Sequence, residues 1–422
     1  ARADPASGPA APGHVRLLTG TGLDCDLCCR ACDAAVDSNL DARRVPLVEV
    51  CAPCLGRVVA EGELLWWRGQ PGVPERPEPV DTTIVETPLP QRVGPVQDLA
   101  PVPATDRPVW LLLGEDGRIS RYDAASREWR VLATTSLPDE PGDPGRYHQP
   151  RRRLHASSGG QFAAVVTDYG RYGQVLDLRD GRVTLELDGG DDHPDTVRFS
   201  LAFADFGEHV VVHRTAWNRL DVSDAVTGAP LTEREPTQYV DGEAPPHYLD
   251  YFHGALHLSP TGRWIADDGW VWQPDGLVVT WDLNWWLAEN PWESEDGPSR
   301  RRVCRREEWD RPMCWVGENL LAVRGIDAGP GGAPVLGGVQ VFDVVSGAPV
   351  AAFAAPEGAL FADGYRLYVA AADGLEIWDA GTGERTGRVP GFVPTAYHPG
   401  AGELAALRGG GLRRWRTARV PD

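Results

Sequence analysis

The chain contains no lysine, so all 41 of its basic residues are arginine. That bias, with the excess of Ala and Gly, fits a GC-rich, bacterial-type coding genome better than any function. No apolar run approaches the roughly 18–20 residues that a membrane-spanning helix needs, and no secretory hydrophobic segment is visible. The numbering starts on Ala rather than Met, which leaves room for an upstream segment. Catalytic signatures are missing too. Ser157 and Ser158 precede a glycine, but no G-x-S-x-G elbow surrounds them. The run GPGGAPVLGG (329–338) is glycine-rich yet lacks the lysine and following helix of a phosphate loop. The acidic stretch DGGDDHPD (188–195) does not have the ligand spacing of a calcium loop. His247, His253 and His257 could line a pocket, but His257 and His155 occupy matching places in "LHLS" and "LHAS", which argues for a structural role. An enzyme or channel-binding protein is therefore the second reading, not the first.

Positive charge is scarce. The formal net charge is −20, and such a field repels phosphate backbones, so general nucleic-acid binding is disfavoured. Only Arg151 to Arg153 and the run of Arg300, Arg301, Arg302, Arg305 and Arg306 are locally basic.

Turns are abundant. Gly and Pro number 48 and 37 of 422 residues, a density that favours many turns over long helices. Residues 1–14 have the composition of a flexible tail, 15–68 form a cysteine module, 69–103 form a proline-rich linker, and 104–422 repeat.

The cysteine module reads GLDCDLCCRACD, with Cys25, Cys28, Cys29 and Cys32, then VCAPCLGRV, with Cys51 and Cys54. A Cys-x-x-Cys turn points two sulfurs at one ion, and two such turns supply the tetrahedral thiolate set that zinc prefers. Four protein ligands leave no open position, so the metal is structural. Either Cys25 with Cys28 or Cys29 with Cys32 can be the first pair; the tolerance of Asp33 for a left-handed conformation favours the latter. One Zn²⁺ is expected, and six thiolates holding two bridged metals is the alternative. Pro53 suits the first turn of a short helix over 55–61. The layout resembles a treble-clef or zinc-ribbon finger. The block is not basic, which argues against a nucleic-acid finger. Paired ligands suit a reducing, cytoplasmic compartment, with Cys304 and Cys314 expected as buried thiols.

From about residue 104 one unit recurs. A turn containing Gly precedes a short apolar strand, as in SSGGQFAAVV (157–166), ADFGEHVVV (204–212), SPTGRWIA (259–266), WVGENLLAV (315–323), ADGYRLYVA (362–370) and HPGAGELAAL (398–407). A second strand follows and usually ends in Asp: Tyr122-Asp123, Leu176-Asp177, Ser223-Asp224, Trp281-Asp282, Phe342-Asp343, Trp378-Asp379, and finally Trp415-Arg416. On Trp281-Asp282, Trp378-Asp379 and the matching turns, residues 81–422 resemble a WD-repeat β-propeller. The resemblance implies an all-β fold of seven blades, with six or eight as alternatives, and a role as a protein-interaction scaffold. It departs from the family in lacking the Gly-His pair. A strand at 81–87 is the candidate to complete the last blade beside Arg413 to Thr417.

Antiparallel strands place Gly turns and Asp turns at one end of the ring and the remaining connections at the other. The long stretches 224–262 and 282–317 are expected to elaborate that other end, as one partner-binding face. Their aromatic and arginine residues Trp285, Trp286, Trp292, Arg301, Arg302, Tyr248 and Tyr251 are the candidate contacts for a protein partner.

Overall fold

The computed structural model describes residues 76–417, apart from 235–242, 273–274, 307, 327–335, 354 and 365, together with the backbone of Val15–Asp24 and Ala31–Ser38. Those two strands pair antiparallel, with Leu23 opposite Cys32. Of the candidate zinc ligands, Cys25, Cys28, Cys29, Cys51 and Cys54 lie outside the described residues, as do the side chain of Cys32 and the helix expected over 55–61.

The fold is an all-β, seven-bladed β-propeller, and the described chain divides into two compact units. One unit, residues 82–303 with 393–422, carries five blades. Blade 1 comprises Val96–Pro101, Val109–Gly114, Arg118–Asp123 and Trp129–Thr134. Blade 2 comprises Arg151–Ala156, Phe162–Asp168, Tyr172–Asp177 and Val183–Asp188. Blade 3 has three strands among the described residues, Leu201–Asp205, His209–Ala216 and Arg219–Asp224. Blade 4 comprises Phe252–Leu258, Trp264–Val271, Asp275–Asp282 and Arg301–Arg306, the last of which runs across the division between the units. Blade 7 is formed by Ala396–His398, Glu403–Arg408 and Gly411–Arg416, completed by Val85–Pro88, which pairs with 411–414. The second unit holds blade 5 (Met313–Trp315, Leu320–Ile326, Leu336–Asp343, Ala348–Phe353) and blade 6 (Ala359–Ala362, Arg366–Ala371, Gly374–Asp379, Arg385–Pro390).

Each sheet is too thin to bury both faces alone, so neighbouring blades share a core. Blades 1 and 2 interleave Val109, Leu111, Ile119, Leu154, Val165 and Leu176. Blades 5 and 6 meet through Val341, Phe353, Leu367 and Trp378, with the Phe353 and Trp378 rings stacked at 5.5 Å. Burying one such side chain contributes roughly 1.5–3 kcal/mol. The residue before the end of the third strand is buried in every blade: Tyr122, Leu176, Trp281 and Trp378 at 0%, Trp415 (which precedes Arg416) at 4% and Phe342 at 5%, with the polar Ser223 at 4% in blade 3.

The first blade begins inside the stretch read from composition as linker, since Val96–Pro101 already pairs with Val109–Gly114. The physical reason lies at the sheet edge. This strand has a sheet neighbour on one side only, so Pro101 can lack an N–H without breaking a ladder, while Leu99 and Ala100 are buried.

The Asp turns have a common mechanism. The Asp side chain accepts backbone N–H groups two and three residues on, as Asp123 does from Ala125 and Ser126, Asp343 from Val345 and Ser346, and Asp379 from Gly381 and Thr382. The residue four on then donates its N–H to the Asp carbonyl. It is Gly181, Gly228, Gly347 or Gly383, each at positive φ between 71° and 77°. Arg127 fills this position in blade 1 at φ 64°, against the steric cost that Cβ brings there. In blade 4 the fourth residue is Trp286. Asp282 accepts from Asn284 and Trp285 in the same way, but here the chain does not enter the positive-φ region and the turn continues as helix α1, Leu283–Ala288, followed by α2, Glu293–Asp296. The same side chain therefore caps a hairpin turn in one blade and a helix N-terminus in another.

Candidate partner-binding face

In an up-and-down sheet, the turn between second and third strands emerges at the same end as the link to the next blade. Over blades 2 to 4 that end is rich in aromatic residues. Trp217 follows the second strand of blade 3, and Trp272 follows that of blade 4. Trp270 pairs across the sheet with Phe252, and the two rings lie 4.4 Å apart. Trp217 is also 4.4 Å from Phe252. Trp272 meets Phe252 at 5.0 Å, Trp270 at 5.1 Å and His193 at 5.2 Å. His193 belongs to the connection from blade 2 to blade 3 and is held at φ 44°, with Thr196 donating both N–H and hydroxyl to its carbonyl. Edge-to-face and offset contacts of this kind contribute about 0.5–1.5 kcal/mol each beyond area burial. The cluster is anchored from beneath, since Gly269 leaves the space that Tyr251 fills; a Cβ there would lie 2.2 Å from the Tyr251 ring.

Trp272 is nevertheless half exposed at 50%. On the same end, Tyr147, His148 and Tyr169 form a second aromatic group, edge-to-face at 4.8 Å and tilted at 4.3 Å. Tyr147 is 63% exposed, and its N–H donates to Asp195 in the loop that carries His193. Below them Arg214 is fully buried. It donates to the Gly170 carbonyl, lies over Phe199 at 4.8 Å, and has its pKa lowered to about 10 by desolvation. The surface is thus a rigid aromatic platform on supported loops. None of Trp217, Trp270, Trp272, Tyr147 or Tyr169 is marked by the repeat pattern, although Tyr169, Trp217 and Trp272 each directly follow a second strand.

The seven sequence candidates do not form one face. Tyr251 is 1% exposed, and its hydroxyl donates to the Leu277 carbonyl. Trp286 is also 1% exposed; it packs against Trp281 and donates from its indole N–H to the Pro291 carbonyl. Both are core residues, a correction to the expected contact set. Trp292 is partly covered, stacked on His247 at 4.5 Å and lying 4.8 Å from the Arg234 guanidinium. Tyr248 touches Trp217 at 6.4 Å, at the margin of the cluster. Trp285 is 47% exposed on α1, and Arg301 and Arg302 are exposed at the start of the outer strand of blade 4.

The expected single elaborated end is also corrected. The 283–300 insertion joins the third and fourth strands of blade 4, so it arises at the Asp-turn end and folds back over blade 3. Blade 3 explains this. Among the described residues its fourth strand is represented by one bridge, between Ser223 and Pro230, which leaves backbone that a longer strand would have paired. Arg234 donates to the Leu220 and Pro291 carbonyls and pairs with Glu295 at 2.6 Å, both side chains being 2% exposed. His247 adds a contact to Asp296 at 2.9 Å.

The three histidines considered as a pocket are separately employed. His247 binds Asp296. His253 is fully buried with Nδ1 2.6 Å from Asp267, whose other oxygen accepts the Gly254 N–H. His257 acts electrostatically on His155, whose pKa is pushed well down, first by burial and then by Arg153 and His257. Among the described residues, no cluster of three or more His, Cys, Asp or Glu side chains has metal-binding geometry, and no helix is long and apolar enough to cross a membrane.

No protein-family model matches the chain, and no curated protein matches it. Among solved structures, a chain from the crystal structure of the mitotic checkpoint complex is similar at 16% identity and a TM-score of 0.48. The match covers 82% of this chain and 97% of that one. At that level the likeness carries no argument about function.

Proposed function

We propose that this chain is a non-catalytic protein-interaction scaffold that docks a partner on the aromatic face around Trp272. The observation that supports this most is a half-exposed tryptophan held in a five-ring cluster, with a second aromatic group carrying the exposed Tyr147 on the same end. Rigid aromatic side chains on supported loops dominate binding energy at protein interfaces and lose little entropy on contact. Trp285, Trp292, Arg301, Arg302 and Tyr248 remain candidates for secondary contacts. The channel-binding reading has less support, because the histidines it would use are engaged elsewhere.

Replacing Trp272 with Ala is expected to weaken capture of a stoichiometric protein partner about 30-fold, the effect of losing one hot spot of about 2 kcal/mol, when measured well below the melting midpoint, which should fall as the ring contacts are lost. Undiminished capture by the variant would remove the basis for this face. The cysteine module completes the proposal as a structural zinc site attached to the scaffold. Metal analysis of the purified chain should find one zinc, and chelation should release it without melting the blades; a metal-free chain would end that part.

A further inference from the structure

Beyond the docking face, the geometry points to an oxyanion-binding cleft on blade 1, suited to a phosphoryl group. Arg121 on the third strand lies directly opposite Arg130 on the fourth. Directly opposed residues share a face, with Cβ atoms about 4.5–5.5 Å apart, and like charges there are destabilising. Among the described residues neither guanidinium has a hydrogen-bond or ion-pair partner. Both line an open cleft of about 720 Å³ with Arg107, Asp123, Glu128 and Trp129.

The other blades show what this position ordinarily does. Two residues before the strand-ending Asp stand Val175, Val222, Val341 and Ile377, with Thr280 in blade 4, none more than 4% exposed. Where the opposing residue is described, it is Leu185, Ala351 or Gly387. Blade 7 also has an arginine there, Arg414, but Glu403 neutralises it at 3.0 Å and it donates to the Ala124 carbonyl. Blade 1 alone, among the described residues, sets two unneutralised cations at a position where blades 2, 3, 5 and 6 bury aliphatic groups. A chain of net charge −20 has carboxylates enough to pair them, yet does not. Asp123 is already held by Arg107 at 2.5 Å and by the Ala125 and Ser126 N–H groups. Glu128 is the other carboxylate of the lining and is exposed. Such a standing cost is the mark of a site kept for a ligand.

Two adjacent guanidiniums present paired N–H donors to an oxyanion. A carboxylate brings one negative charge, whereas a phosphate monoester brings about −1.5 to −2 with three acceptor oxygens. The phosphoryl group therefore matches both arginines at once. Its source could be a phosphorylated side chain of a partner or a free phosphomonoester.

The test is thermal melting of the intact chain in inorganic phosphate, with sodium chloride holding ionic strength constant. The wild-type midpoint should rise with phosphate by mass action. Arg121→Val and Arg130→Val should melt higher than wild type without phosphate and lose that response. Arg130→Glu, which supplies Arg121 with a partner, should behave the same way and covers a failure of Val to pack. Titration with a serine phosphopeptide, its unphosphorylated form and an Asp-substituted form separates the sources. Tighter binding of the phosphopeptide than of inorganic phosphate supports a partner side chain, and equal binding supports a free phosphomonoester. Preference for the Asp peptide overturns the phosphoryl assignment. Variants that melt no higher than wild type and keep its phosphate response overturn the site.

Discussion

Arg234→Ala should cost about 3–5 kcal/mol at neutral pH, the penalty for stripping the partner from a buried charge. Arg234 and Glu295 are each 2% exposed, and the guanidinium also holds the Leu220 and Pro291 carbonyls. It is the pin that fastens the α1–α2 insertion onto the short third blade. The effect has a pH signature. Burial, the largest influence, raises the Glu295 pKa, and Arg234 and His253 partly offset it. A carboxyl whose folded pKa lies above its unfolded value, about 4.3, favours the fold when protonated. That contribution is full below the unfolded value and is lost as pH rises through the folded one. Removing Arg234 withdraws the main compensation, so the deficit should be largest near pH 7 and shrink toward pH 4. Urea midpoints at the two pH values would show it, and a pH-independent loss would mean that the arginine acts by packing alone. Replacing both partners, Arg234→Met with Glu295→Leu, should recover much of the loss, since apolar pairs often equal buried ion pairs.

A loss of similar size, about 3–5 kcal/mol, is expected for His253→Ala. His253 and Asp267 are both at 0% exposure and 2.6 Å apart. Without the imidazole, Asp267 would keep one hydrogen bond from Gly254 and lose its partner on the other oxygen. The Tyr251 ring, 5.1 Å from the His253 ring, would also face a void. Because the groups act as a pair, His253→Ala and Asp267→Ala should be non-additive, with a coupling of about 0.5–3 kcal/mol. A double-mutant cycle in urea measures this directly, and strict additivity would show that the contact contributes no coupling energy.

Blade count and the strand-ending residues were legible before any coordinates because a repeat needs the same local chemistry each time. Gly160, Gly207, Gly262, Gly317, Gly364 and Gly402 recur because each turn requires a positive φ, which all six adopt, and glycine meets it without a Cβ clash. Asp recurs because its carboxylate caps two N–H groups in the next turn. The contact face was less legible. Loop length pointed to 282–317, but length does not say whether an aromatic residue packs inward. Trp285 and Trp286 are neighbours in sequence, yet one is 47% exposed and the other 1%. That difference comes from which side of α1 meets blade 3, where Trp286 joins the core of Leu220 and Val222.

The sequence by itself determined the all-β repeat, the turns that delimit it and the paired cysteines, because each depends on residues within a few positions of one another. The tertiary structure alone decided which aromatics are core and which are surface, where the insertion lies, and that Arg121 and Arg130 face each other unpaired. These depend on strand register and on neighbouring blades, and register brings together residues whose separation in sequence carries no periodic signal.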